Sequence, residues 1–337
     1  MVLGAAHGAG IWKTEDLPMM LEPDSAIDAV ITWVDGADPT HLAKRRARHA
    51  QAASDLHPNG VNPHRWASSD ELTFCLTGLA THAPWLRRIW LVTDAQTPDL
   101  SAVPALIRDR LSIVDHRVIF AGFEHVLPTF NSLSIEAMLW RIPELADAFV
   151  YFNDDVFLTA PLLPDDVFRN GKPVLRGKWV DYAALVTDPL KQRDPVFFNH
   201  YVQINAARLA GFDPAHMWAS AHVVHPMRRA VMADLFARHR EVFMASIAHP
   251  FRDLAQFQPM ALHNHAAIRA GCSASVATKD YFHMRSGAGT EHQPQDIRAS
   301  LHRATTGGSK FLCVNDLPQL EAALPETRAW IQRAIGA

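Results

Sequence analysis

The chain has 337 residues, 48% of them hydrophobic, and a formal net charge of −3. A packed globular protein follows, and no overall basic field exists to recruit nucleic acid or anionic lipid. Its three cysteines, Cys75, Cys272 and Cys313, are far apart and form no CxxC pair, so neither a disulfide framework nor a cysteine zinc site is indicated.

Residues 1–25 read as a tail or peripheral arm. They lack the basic-then-apolar order of a signal peptide, and no run approaches the ~20 apolar residues of a spanning helix. A cytoplasmic protein is expected, with peripheral docking at the inner face of a membrane left open. Ile27–Val34 is a short β-branched run closed by Asp35-Gly36, which predicts a buried strand and a sharp turn. Residues 37–66 fit a helix plus a surface loop around Pro58-Asn59-Gly60. Ser69 is a candidate cap for a helix carrying Leu72, Leu76 and Leu79, ended by Pro84. Ile89–Thr93 is a second strand closed by Asp94, Leu111–Val114 a third, and Phe149–Phe152 a further one leading into Asn153-Asp154-Asp155. Leu133–Trp140 is helical in pattern. Residues 226–247 read as one amphipathic helix, and Ala255–Ala270 as another.

Strands alternating with helices predict an α/β fold with a mostly parallel sheet, in which ligands bind beyond the carboxyl ends of the strands. Asp35, Asp94 and Asp154-Asp155 all fall at such ends. A carboxylate pair after a strand suits a hard cation that shares its shell with phosphate oxygens. Taken alone, such a pair is more often a solvated turn or a helix cap, and Asp35-Gly36 is equally a plain turn. Asn131-Ser132 caps a helix or binds an anion. His225 before Pro226 is a candidate general base, and Arg252 a candidate phosphate clamp or ion-pair partner. His263-Asn264-His265 and the other histidines between His216 and His265 raise a zinc reading, but no HExxH or cysteine partner supports it.

Together these segments resemble the Stealth family of hexose-1-phosphoryl transferases, which includes capsule and exopolysaccharide phosphotransferases. Its four blocks correspond to Ile27–Gly36; Arg65 through Asp70-Glu71-Leu72, Ile89–Asp94 and Leu127–Ser132 to Tyr151–Val156; His225-Pro226 through Pro250–Arg252 to Gly271; and Lys310–Asp316. Where the second block usually carries Asn-Gly, this chain has Asp94-Ala95. The resemblance implies a GT-A-like core and a single catalytic domain over 26–337. A nucleotide-sugar half (26–176) is completed by a helical half (177–337).

The resemblance further implies catalytic-site roles for His225, Arg252, Asp316 and Asp35. Thr32, Trp33, Gly36, Asp94, Gln96, Asn131, Ser132, Arg141 and Asp154 would line the donor site. Asp154, Asp155, Asn315 and Asp316 would hold Mg²⁺ or Mn²⁺. The implied reaction moves a sugar-1-phosphate, GlcNAc-1-phosphate by family preference, from a UDP-sugar to a hydroxyl of an oligosaccharide or polysaccharide, releasing UMP. Two alternatives stand beside it: an ordinary GT-A glycosyltransferase that releases UDP, and a non-catalytic nucleotide-sugar-binding subunit.

Overall fold

The computed structural model describes residues 25–52, 56–61, 66, 70–284, 293–306 and 308–336. Residues 1–24 of the expected tail, Arg65 and the cap at Ser69 lie outside them. The strands, in chain order, are β1 (Ile27–Thr32), β2 (Ile89–Thr93), β3 (Leu111–Asp115), β4 (Ala148–Asn153), β5 (Val156–Leu158), β6 (Phe168–Arg169), β7 (Lys172–Leu175), β8 (Gly177–Val180), β9 (Met217–Ser220), β10 (His225–Arg228), β11 (Ala274–Ser275), β12 (Tyr281–Met284) and β13 (Phe311–Val314).

The central sheet has the order β10-β4-β1-β2-β3, with β4, β1, β2 and β3 parallel and β10 antiparallel on the edge. The α/β expectation is met. Both faces of this sheet are covered, which is why its strands read as continuous apolar runs rather than alternating ones. Along β1, Ala29 and Ile31 pack with Leu72, Leu76 and Leu79 of the helix Glu71–His82, while Val30 packs with Tyr151 and the helices of the other face. The register sets Thr32 beside Asn153 and beside Val92, so the chain leaves β1, β2 and β4 along one edge.

The second half does not simply follow the first. β10 pairs with β4, and β13 pairs antiparallel with β5, flanked by β12. Strands from beyond residue 217 therefore complete the edge that carries Asp154 and Asp155.

Two elements differ from the sequence reading. The Leu133–Trp140 stretch is a short helix, Ser132–Glu136, followed by a separate 3₁₀ turn, Leu139–Arg141. Residues 226–247 are not one helix: β10 takes 225–228, and helices Arg229–Arg238 and Arg240–Ile247 follow, separated at His239. Pro226 cannot donate a helical hydrogen bond, so an extended start is cheap there. Asp147 then caps the next helix from outside, its Oδ1 accepting from the Ala230 N–H at 2.8 Å while its other oxygen holds Arg228. The break at His239 lets Phe236 and Phe243 meet at 5.4 Å in one core.

The His263-Asn264-His265 motif is structural. His263 Nε2 accepts the Arg228 N–H at 3.0 Å, and His265 Nε2 accepts the Trp218 N–H at 3.2 Å, tying the helix Pro259–Arg269 to β10 and β9. Both rings are buried and held neutral. Burial lowers each pKa to about 4, from 6.5. The folded state thus sheds protons that the unfolded chain takes up. This stabilisation is fully present above pH 6.5 and is lost as pH falls toward 4, costing about 2 kcal/mol per ring at pH 5. The urea midpoint should drop clearly between pH 7.5 and pH 5; an unchanged midpoint would contradict the assignment.

Candidate active site

The site has two lobes on the carboxyl edge of the sheet. The first is a cleft of about 260 Å³ lined by Trp33, Asp35, His41, Lys44, Asp94 and Gln96, among others. Its floor is rigid. The Gln96 amide clamps the Asp35 peptide, its Oε1 accepting from the Asp35 N–H at 2.9 Å and its Nε2 donating to the Asp35 carbonyl at 3.0 Å. One Asp35 carboxylate oxygen accepts from the Ala37 N–H at 2.8 Å. Gly36 is needed for close approach, since a Cβ there would lie 2.4 Å from the Trp66 carbonyl oxygen. Asp94 pairs with Lys44 Nζ at 3.0 Å on the wall. Ala95, where the family pattern has Gly, sits at φ 53°, a left-handed conformation that costs an alanine of order 1 kcal/mol.

The second lobe is built on the turn between β4 and β5. The Val314 N–H donates to the Asp155 carbonyl at 2.9 Å, so β13 pins the carboxylate pair. Asn315 Nδ2 donates to Asp155 Oδ2 at 2.6 Å, and His283 Nε2 meets Asn315 Oδ1 at 2.5 Å. His222 Nε2 lies 3.8 Å from the same Asp155 oxygen. Asp155 Oδ1 is buried with no hydrogen-bond partner among the described residues. Burial, Asp155 and Glu71 push the Asp154 carboxyl well above the ordinary range. Burial pushes Asp155 the same way, but His222 and Asn315 outweigh it and hold Asp155 ionised. Asp155, His222 and Cys313 offer ligand atoms within 4.8 Å of one another. The Cys313 thiol is raised well above its usual value by burial and then by the two aspartates, so it stays protonated. Asp316 follows at φ 55°, at the start of the helix Leu317–Ala323.

Beside this lobe lies a guanidinium. Arg252 donates to Ser132 Oγ at 2.6 Å and to Asn59 Oδ1 at 3.2 Å, and its Nε has no partner among the described residues. Burial lowers its pKa, opposed by Glu136, Tyr151 and Asp155. Tyr151 links inward, its hydroxyl bonding Thr32 Oγ1 at 2.9 Å and Glu136 Oε1 at 3.1 Å. Thr32 thus supports this network from below. His225, on β10 opposite Tyr151, is buried and held neutral. Its pKa falls to about 3, first through burial and then through His222, His263 and Arg176.

Two expected donor contacts are placed elsewhere. Asn131 spends its whole amide inside the protein: Nδ2 donates to the carbonyls of His249 and Phe251 and to Gln256 Oε1, and Oδ1 accepts from the Leu133 N–H. It fixes the loop that carries Arg252. Arg141 binds the carbonyls of Ile119 and Ala121, both at 2.7 Å, over the Phe123 ring, and is a loop staple. Asn315, expected as a metal ligand, uses its amide oxygen on His283 and so acts as support for Asp155.

Lys44, His41 and His283 escaped the sequence reading, and His222 entered it only among the histidines between His216 and His265. The His222-Val223-Val224-His225 spacing was the available signal for His222: two histidines flanking a buried apolar pair at the entry to a strand.

Stealth protein CR1, conserved region 1, matches residues 26–52, and Stealth protein CR2, conserved region 2, matches residues 65–175. The chain belongs to the Stealth family. The first Stealth region carries β1 and Asp35, the second carries Asp94 and Asp154-Asp155, and the His225–Gly271 and Lys310–Asp316 blocks lie outside both matches. An exopolysaccharide phosphotransferase of Streptomyces coelicolor is 46% identical over 73% of this chain and 40% of its own length. Another from that organism is 30% identical over 91% of this chain and 49% of its own length. The capsular polysaccharide phosphotransferase LcbA of Aeromonas hydrophila is 30% identical over 70% of this chain and 64% of its own. The chain spans between 26% and 49% of the length of the four Streptomyces relatives it matches. Among solved structures, the galactosyltransferase LgtC aligns with 85% of this chain and 86% of its own at 13% identity and a TM-score of 0.42. No helix among the described residues is long and apolar enough to cross a membrane.

Proposed function

We propose that this Stealth protein transfers a sugar-1-phosphate, GlcNAc-1-phosphate in the first instance, from a UDP-sugar to a glycan hydroxyl, releasing UMP, in capsule or exopolysaccharide synthesis. The supporting observation is a pair of orphaned atoms of opposite kind on one sheet edge: Asp155 Oδ1, an acceptor suited to a cation, and Arg252 Nε, a donor suited to an anion. A metal-bound diphosphate satisfies both. Asp155 and Asp154, with Asp316 in support, would hold Mg²⁺ or Mn²⁺, which when bound neutralises the diphosphate charge.

The cleft at Trp33, Asp35 and Asp94 would take the nucleoside, on a floor that Gln96 holds rigid. Arg252 would steady the non-bridging oxygens of the phosphorus under attack, with Ser132 and Asn59 fixing its fork. His225, neutral at working pH, would accept the acceptor hydroxyl's proton; the bound diphosphate's charge would raise its basicity. The acceptor oxygen bonds to phosphorus, the bond from phosphorus to the UMP oxygen breaks, and the sugar's C1–O bond stays intact, so anomeric configuration is kept.

The test is product identity. With Mg²⁺ or Mn²⁺, a UDP-sugar panel and oligosaccharide acceptors, UMP is expected, and it should disappear in His225→Ala and Asp316→Ala. UDP as the product would mean glycosyl transfer instead. Metal-dependent UDP-sugar binding with no product from any acceptor would favour a binding subunit.

His283 supplies a narrower prediction. By holding the Asn315 amide it orients Asp155 Oδ2, and loss of such an outer partner typically costs 10–100-fold in metal affinity. His283→Ala should weaken Mn²⁺ binding by about that factor in a calorimetric titration. An unchanged Kd would remove His283 from the supporting shell.

A further inference from the structure

The antiparallel pair β8–β9, whose strands are 36 residues apart in the chain, carries an aromatic assembly that neither lobe uses. Trp179 on β8 is directly opposite Trp218 on β9, ring to ring at 5.9 Å and nearly perpendicular. A cross-strand tryptophan pair of this kind stabilises the strand pairing, and that alone would explain Trp218. It does not explain Trp179. Its indole is 44% exposed, among the few large apolar side chains left in solvent. On it lies the His216 ring, also exposed, at 4.4 Å and 5° from parallel. The two rings make a flat slab with apolar faces and polar ring edges. That is the complement of a pyranose, which has apolar C–H faces and a hydroxyl rim.

The location favours the same ligand. From Trp218 the chain runs only four residues to His222, a span of at most ~14 Å. His222 is the histidine 3.8 Å from Asp155. His216, just ahead of β9, is six residues from His222, so it lies within ~21 Å of that histidine along the chain, and His225 follows on β10. A glycan of a few sugar units spans that distance.

The geometry points to the Trp179–His216 slab as a subsite for a pyranose ring of the acceptor glycan, a few sugar units from the reacting end. This rests on the glycan-acceptor reading above, and the experiment separates the two. The full chain is titrated calorimetrically with cellotetraose, chitotetraose and mannotetraose, and separately with UDP plus Mn²⁺. At least one tetrasaccharide should bind. Trp179→Leu and His216→Ala should each weaken it about three- to tenfold, the worth of one aromatic stack. Trp179→Phe should retain most of the affinity, and UDP affinity should not move in any variant. The His216 change leaves the β8–β9 pairing intact, so it guards against a strand pair that merely comes apart. Wild-type protein that binds UDP but none of the three glycans, or Trp179→Leu with wild-type glycan affinity, would overturn the subsite. Failure of UDP to bind would sink the donor reading, while the glycan titration would still decide the slab.

Discussion

Asp155→Asn should abolish measurable Mn²⁺ binding and lower UMP release from a UDP-sugar by about 10³-fold, while the protein stays folded. The local geometry gives the reason. The new amide's carbonyl can still accept from Asn315 Nδ2, as Asp155 Oδ2 does at 2.6 Å. Its NH₂ then occupies the place of the orphaned Oδ1 and presents donors where a cation needs an acceptor. Two effects on stability oppose each other: losing the Asp155 charge relieves Asp154, which burial and that charge push up, but weakens the His222 and Asn315 contacts that hold Asp155 ionised. Without metal, the variant should therefore melt close to wild type. A variant that binds Mn²⁺ normally would show that the turn is structural and not a cation site.

Arg252→Ala should reduce kcat/KM by about 10²–10³-fold, the scale for removing one preorganised donor from a transition state. The more discriminating variant is Arg252→Lys. Lysine keeps the positive charge facing Glu136 and Asp155 but not the planar fork. Arg252 holds Ser132 and Asn59 with its two terminal nitrogens and leaves Nε for a ligand. An ammonium at the end of a flexible stem cannot reproduce that division. Arg252→Lys should therefore recover the melting temperature lost in Arg252→Ala, yet recover little of the activity, as read by parallel melting curves and UMP release. Full recovery of both would reduce Arg252 to a charge that balances Glu136.

The parts of this architecture that follow from local periodicity were legible in the sequence. Ile27–Thr32, Ile89–Thr93 and Ala148–Asn153 are apolar runs ended by polar residues, and the carboxylates after them mark the working edge of the sheet. Side-chain direction was not legible. Asn131 and Arg141 sit in the expected blocks, but their amide and guanidinium groups satisfy backbone carbonyls of neighbouring loops. Nothing in the order of residues tells whether a polar group will turn toward a ligand or toward an unpaired carbonyl; that depends on which loops pack together. The same holds for His283 and Asn315, which reach Asp155 only because β13 lies antiparallel to β5. Arg252, by contrast, depended on a whole-block resemblance, since a lone arginine after Pro250-Phe251 carries little local signal.

The antiparallel edge strand also sets an order of assembly. β4 ends at Asn153, but its outer neighbour begins only at His225, and β13 only at Phe311. During synthesis at ~5–20 residues per second, the edge of β4 stays uncovered for several seconds after β4 itself emerges. The residues that line the first cleft, 33–97, are all made long before those of the second lobe. A chain cut short ahead of His225 therefore exposes a hydrophobic strand edge open to pairing with other copies.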